Sequence, residues 1–134
     1  MIITASFEGE PADNAARFVE WLKGLSGGGA NNNNNNNNNN QDGDGEQQLR
    51  GVKFAVFGCG NTDWVTTYQR VPKLIDRILA ERGATRLVDL GAGNAASDDF
   101  FEAFDRWETR LWETLAEVRP PRRFPVAYEP GPKF

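Results

Sequence analysis

Histidine is absent from this chain and cysteine occurs once, at Cys59. That excludes Ser-His-Asp and Cys-His nucleophile systems, His-ligated metals, Cys-cluster zinc sites and internal disulfides. The chemistry left to it rests on aromatic rings and glycine backbone. FGCGNTDWVTTYQR, residues 57–70, sets Trp64 and Tyr68 beside a turn holding Gly58 and Gly60, and Phe7 lies in the stretch SFEGEP. Two aromatics on adjacent loops sandwich a flat heteroaromatic ring while glycine N–H groups reach its polar edge. The bland alternative is that Phe7 and Trp64 cover the end of a sheet. Cys59 reads as an inert, buried thiol behind an apolar strand.

Two further motifs invite a ligand. LVDLGAGNAA places Gly91 and Gly93 between a strand and a helix, close to G-x-G-x-x-A and to the strand-loop of S-adenosylmethionine-dependent methyltransferases. Such a site wants an acid at the end of the next strand, ~20 residues on; here that distance falls inside the final helix. DGDGE at 42–46 imitates a calcium loop, but the chain has Gln47 and Lys53 where glycine and glutamate are required. No metal site is expected.

The elements that must position these residues follow from periodicity. Strands are expected at Ile2–Thr4, Val52–Phe57 and Thr85–Leu90. A first helix runs from Asp13 to Leu25 on Ala15, Phe18, Val19, Leu22 and Leu25. A second uses Val71, Leu74, Ile75, Ile78 and Leu79, with Pro72 in its first turn and Gly83 as its stop. A third opens at Asp98 and Asp99 and buries Phe100, Phe104, Trp107, Leu111, Leu115 and Val118. Trp21, Trp107 and Trp112 are expected as core or helix-packing residues. Alternating strand and helix calls for an α/β doubly wound parallel sheet with ligands beyond the strands' carboxyl ends. Loops 6–11, 58–66 and 91–97 then share that rim.

Residues 26–48 are a low-complexity insert with a run of ten asparagines, expected to be disordered because it has no apolar surface to offset ordering entropy. Loop 26–48 joins a helix to a strand, so it lies at the opposite rim. Residues 119–134 are a Pro-rich basic tail or linker start, which leaves one small domain at 1–118. The net charge of −4 is uneven: residues 84–118 hold eight acids against three bases, and residues 51–83 five bases against three acids. Neither block is a phosphate-tracking footprint, which argues against nucleic acid; the acidic final helix is a solvated face or a docking surface for a basic protein. No apolar run reaches a membrane-spanning ~20 residues and the start lacks a basic n-region, so a cytoplasmic location without membrane contact is the default.

TASFEGEPADNAARFVEWL, GVKFAVFGCGNTDWVTTYQRVPKLID and ASDDFFEAFDRWE together resemble the flavodoxin-like FMN domain of diflavin reductases. They are most similar to the reductase half of self-sufficient, fatty-acid-hydroxylating cytochrome P-450 monooxygenases. The resemblance implies that Phe7, Glu8, Gly9 and Glu10 form the middle FMN loop, with Phe7 in place of a stacking tyrosine. It implies that Trp64 takes the other flavin face. Cys59, Gly60, Asn61 and Thr62 would line the ring's polar edge, with Tyr68, Gln69 and Arg70 as further contacts. It implies electron relay from an FAD/NADPH domain to a haem domain, those cofactors belonging to parent domains outside this chain, and no catalysis by this portion alone. A flavodoxin-like sheet has order 2-1-3-4-5. The strands here correspond to the third, fourth and fifth, so the fold is expected to be truncated, without the FMN phosphate loop and with Ile2 and Ile3 on an open edge. A methyltransferase fragment and a non-functional gene fragment are the alternatives.

Overall fold

The computed structural model describes residues 1–26 and 47–118. Most of the insert, residues 27–46 with DGDGE, and the tail 119–134 lie outside the described residues. Strand β1 (Ile2–Phe7) turns into the short β2 (Glu10–Pro11), and helix α1 (Asp13–Ser26) follows. β3 (Lys53–Phe54) and β4 (Val56–Gly60) lead to α2 (Arg70–Glu81), and β5 (Thr85–Arg86) and β6 (Gly91–Asn94) lead to α3 (Phe100–Val118). The main sheet has the order β2-β1-β4-β6; β1, β4 and β6 are parallel and β2 is antiparallel to β1. β3 and β5 pair in parallel as a two-stranded extension. The expected α/β parallel sheet is present, and among the described residues nothing pairs with the outer edge of β1 from Ile2 to Ala5.

The pleat of β4 divides the core. Val56 faces α1 and α2, where Val19, Leu22, Val71, Ile75 and Ile78 are all at most 2% exposed. Ala55 and Phe57 face α3, where Trp107 and Leu111 complete the second cluster with Phe100, Phe104 and Leu115 at its margin. Burying each such large side chain removes it from water at a gain of about 1.5–3 kcal/mol, and α1, short and polar outside, depends on that burial. α2 ends as expected: Gly83 sits at φ 91°, and the Ala84 N–H returns to the Leu79 carbonyl at 3.1 Å. A bidentate pair from Arg86 to Asp76, at 3.0 and 2.6 Å, ties β5 to α2.

Five expectations are corrected. β1 extends through Phe7 rather than stopping at Thr4, and β4 extends through Gly60, so Gly58, Cys59 and Gly60 are strand residues. The third strand is displaced. Leu87–Leu90 is not paired in the sheet; four residues there span the interval that Ala55 and Val56 span opposite, a bulge. Gly91–Asn94 is the paired segment because a Cβ at Gly91 would stand 2.5 Å from both Phe57 Cδ2 and Trp107 Cδ1, and one at Gly93 2.6 Å from Phe100 Cε2. The Trp107 indole N–H also donates to the Asp89 carbonyl at 3.1 Å, holding the bulge to α3. These glycines are floor for aromatic rings, which removes the loop that the methyl-donor reading requires. Trp107 is core, but Trp21 and Trp112 are 50% and 55% exposed, on the outer faces of α1 and α3. Val118 is likewise solvent-facing at the end of its stripe.

Gly91→Ala is expected to lower unfolding free energy by about 1–3 kcal/mol through overpacking. Urea denaturation followed at Trp107 checks this; an unchanged midpoint would show that the ring-on-glycine contact is not tight.

Candidate functional site

The carboxyl ends of β1, β4 and β6 meet at one rim. β1 ends in a two-residue hairpin: Phe7 pairs with Glu10, and Glu8 and Gly9 take φ values of 49° and 85°, the left-handed pair of a type I′ turn. The φ of Gly9 is what favours glycine there; a Cβ would also meet the movable Arg70 Nη1 at 2.9 Å. Ser6 accepts the Val71 N–H on its Oγ at 2.8 Å, capping α2 from another strand.

After β4 the chain makes consecutive turns. Asn61 Oδ1 accepts the Asp63 N–H at 2.8 Å, and the Trp64 carbonyl accepts the Tyr68 N–H at 2.9 Å. Gln69 then adopts φ 59° and ψ 16° and is 2% exposed. Its Nε2 donates to the Gly58 carbonyl at 2.8 Å, and its Oε1, buried, has no hydrogen-bond partner. A Cβ on Gly58 would lie 1.7 Å from that oxygen, and one on Gly60 3.0 Å from the Tyr68 ring. The glycines of the FGCG run are thus the seats of Gln69 and Tyr68.

Asn94, at the end of β6, joins the loops. Its Oδ1 accepts the N–H groups of Thr62 and Ala96 at 3.0 and 3.1 Å, and its Nδ2 donates to Thr62 Oγ1 at 3.0 Å. The Ala95 N–H reaches the Gly60 carbonyl at 2.7 Å.

This scaffold encloses a cavity of about 130 Å³. Seven of the twelve residues singled out in the sequence line it: Phe7, Glu8, Gly60, Asn61, Trp64, Tyr68 and Gln69. The others lie elsewhere. Gly9, Glu10 and Arg70 line a neighbouring groove. Cys59 faces a hollow shared with Ile3 and Ala5, and Thr62 is engaged by Asn94. Ser6 and Thr67 line the cavity without having been singled out, and Asn94 was read only as part of a Gly-rich loop. No pattern at those positions marks them; only strand pairing brings them together.

Exposure bears on the two readings of the aromatics. Rings covering the sheet end would be buried, whereas Phe7 is 73% and Trp64 64% exposed. The cavity is smaller than the ~300–1,000 Å³ typical of small-molecule pockets, so it could hold only part of such a ligand. The two exposed rings beside it would suit the apolar faces of a flavin ring system, while Gln69 Oε1 is buried away from any ligand. None of the lining residues is a cation, a thiol or a histidine. Among the described residues no cluster of metal-ligating side chains occurs. The cavity's titratable lining groups are the Glu8 carboxylate and the Tyr68 phenol.

Burial raises the Cys59 thiol above its ordinary range. The thiolate is disfavoured in the fold, so this contribution to stability is present below the unfolded thiol's pKa and is lost as pH rises through the folded one. Iodoacetamide at neutral pH is therefore expected to alkylate the native chain more slowly than the urea-unfolded chain; equal rates would contradict it. Trp64→Ala is expected to shift unfolding free energy by no more than about 0.5 kcal/mol, while Gly58→Ala, displacing Gln69, costs about 1–3 kcal/mol. Urea titrations of both variants check the contrast.

Comparison with known proteins bears on what is bound. The flavodoxin family model matches residues 1–107. A self-sufficient cytochrome P-450 monooxygenase of Phanerodontia chrysosporium is 52% identical over 117 residues, which cover 87% of this chain and 9% of that protein. A bifunctional cytochrome P-450/NADPH–P-450 reductase of Bacillus subtilis is 47% identical over 118 residues, covering 88% and 9%. Its counterpart in Fusarium oxysporum is 41% identical over 118 residues, covering 87% and 9%. The chain thus spans about 9% of the length of these relatives.

Proposed function

This chain belongs to the flavodoxin family, and from that premise we propose that it is an FMN-binding electron-transfer domain. The observation that carries the proposal is the pair of exposed aromatics, Phe7 and Trp64, on the cavity at the carboxyl ends of the parallel strands. In doubly wound sheets that rim is where ligands bind. Two faces, two rings and a polar edge suit a flavin better than a nucleotide phosphate, which wants cations or helix N–H groups.

Within this reading each residue has a role. Phe7 and Trp64 stack on opposite faces and exclude water from them. Glu8, Gly60 and Asn61 supply backbone along the ring's edge. Tyr68 and Gln69 form the cavity wall, with Gln69 held by the Gly58 carbonyl. Glu8, Glu10 and Asp63 put negative charge on this rim, which disfavours extra electron density on anything bound there. When bound, FMN supplies the one- and two-electron redox chemistry.

Relatives that fuse a cytochrome P-450 to an NADPH–P-450 reductase support a relay from an FAD/NADPH domain to a haem monooxygenase domain. Those domains are the proposed partners. Among the described residues no helix is long and apolar enough to cross a membrane.

Because no cation lines the cavity, stacking carries the affinity and the phosphate adds little. FMN and riboflavin are expected to quench on the 134-residue chain with affinities within about 3-fold, and Trp64→Ala or Phe7→Ala to weaken both about 10-fold, a stacking contribution near 1.4 kcal/mol. Fluorescence titration checks this. No quenching by the wild-type chain would sink the flavin reading; much tighter binding of FMN than of riboflavin would show a phosphate site in this chain.

A further inference from the structure

Beside the aromatic cavity lies a larger, open groove of about 530 Å³ between α1, the β1–β2 turn and α2. Its floor is apolar, with Val19 and Val71 buried and Leu74 half-buried. Its rim carries Lys23 from α1 and Arg70, Lys73 and Arg77 from α2, against one acid, Glu10. The three α2 cations fall at i, i+3 and i+7, a stripe about 10 Å long at the helical rise. Lys23, Arg70 and Lys73 have no carboxylate partner among the described residues, and Arg77 meets Glu81 only at 3.8 Å, with both side chains more than half exposed.

This stripe works against the helix that bears it. Arg70 and Lys73 occupy the first turn of α2, which has no acid, where the positive end of the macrodipole favours carboxylates. Lys73 and Arg77 repel one another at i, i+4. An anionic occupant relieves both.

We propose that this groove docks the acidic face of a partner protein, one presenting carboxylates in a row along a helix. The cations are spread along a stripe rather than converging on one point, which suits several carboxylates better than a single small oxyanion. The apolar floor suits a protein surface too. A second copy is disfavoured by the net charge of −4 on each chain, although α3 is acidic. The groove ends at Gly9 and Glu10, in the hairpin that carries Phe7, so a partner seated there abuts the rim of the aromatic cavity. That this docking serves electron transfer rests on the flavin reading; the docking itself does not.

The test is fluorescence anisotropy of a labelled helical peptide with glutamates at i, i+3 and i+7, titrated with the full chain. Lys73→Glu/Arg77→Glu is expected to weaken binding at least about 10-fold, while Arg106→Glu/Arg110→Glu, the same charge change on α3, stays within about 2-fold, and raising salt weakens the wild type. Circular dichroism verifies folding, and Lys73→Gln/Arg77→Gln serves if the reversal does not fold. Equal binding by both reversals, or no binding by wild type, overturns the proposal. Competition by millimolar inorganic phosphate would mark a small-anion site instead, and groove-dependent self-association in light scattering an interface between copies; either overturns it. Flavin quenching read in the same samples separates the two claims, since peptide binding without quenching refutes the flavin reading alone.

Discussion

Side chains resting on bare glycine backbone hold both faces of the sheet to their helices. On the α3 face, Phe57, Phe100 and Trp107 occupy the space that side chains at Gly91 and Gly93 would fill. On the other face, Gln69 and Pro72 do the same over Gly58. These contacts fix how closely each helix approaches, and through Gln69 they fix where α2 begins. The turn that presents Trp64 and Tyr68 hangs from that point, so the geometry of the rim descends from a packing constraint two residues back along β4.

The three helices and the order of elements were legible because apolar spacing reports which face of a helix is buried. Strand boundaries were less so. Leu87, Val88 and Leu90 are apolar enough for a strand, yet they form a bulge, while the glycine-rich segment after them is the paired strand. Apolar content does not report register, and the rings that demand glycine at positions 91 and 93 come from elsewhere in the chain. Trp21 and Trp112 misled for a related reason: amphipathic periodicity identifies the stripe but does not oblige every large ring to join it.

At the site, Phe7 and Trp64 were legible as aromatics on adjacent loops, and both are exposed. Ser6, Thr67 and Asn94 were not legible, because what they do depends on pairing between β1, β4 and β6. Asn94 ties the third loop to the second through Thr62, work that no local motif announces. Charge is divided in the same way. The basic stripe of α2 and the acidic α3 lie on opposite faces of the sheet, so a partner approaching the rim meets different potentials on its two sides.

Flavin binding at this rim requires the ring to lie against Trp64. The chain has four tryptophans, each giving an indole N–H resonance in a ¹⁵N–¹H correlation spectrum, and a bound flavin shifts the resonance it stacks on by its ring current. Titration with riboflavin is expected to move the Trp64 resonance progressively to saturation and to leave those of Trp21, Trp107 and Trp112 in place. A stationary Trp64 resonance at saturating flavin, or movement of Trp21 or Trp112 instead, would contradict it.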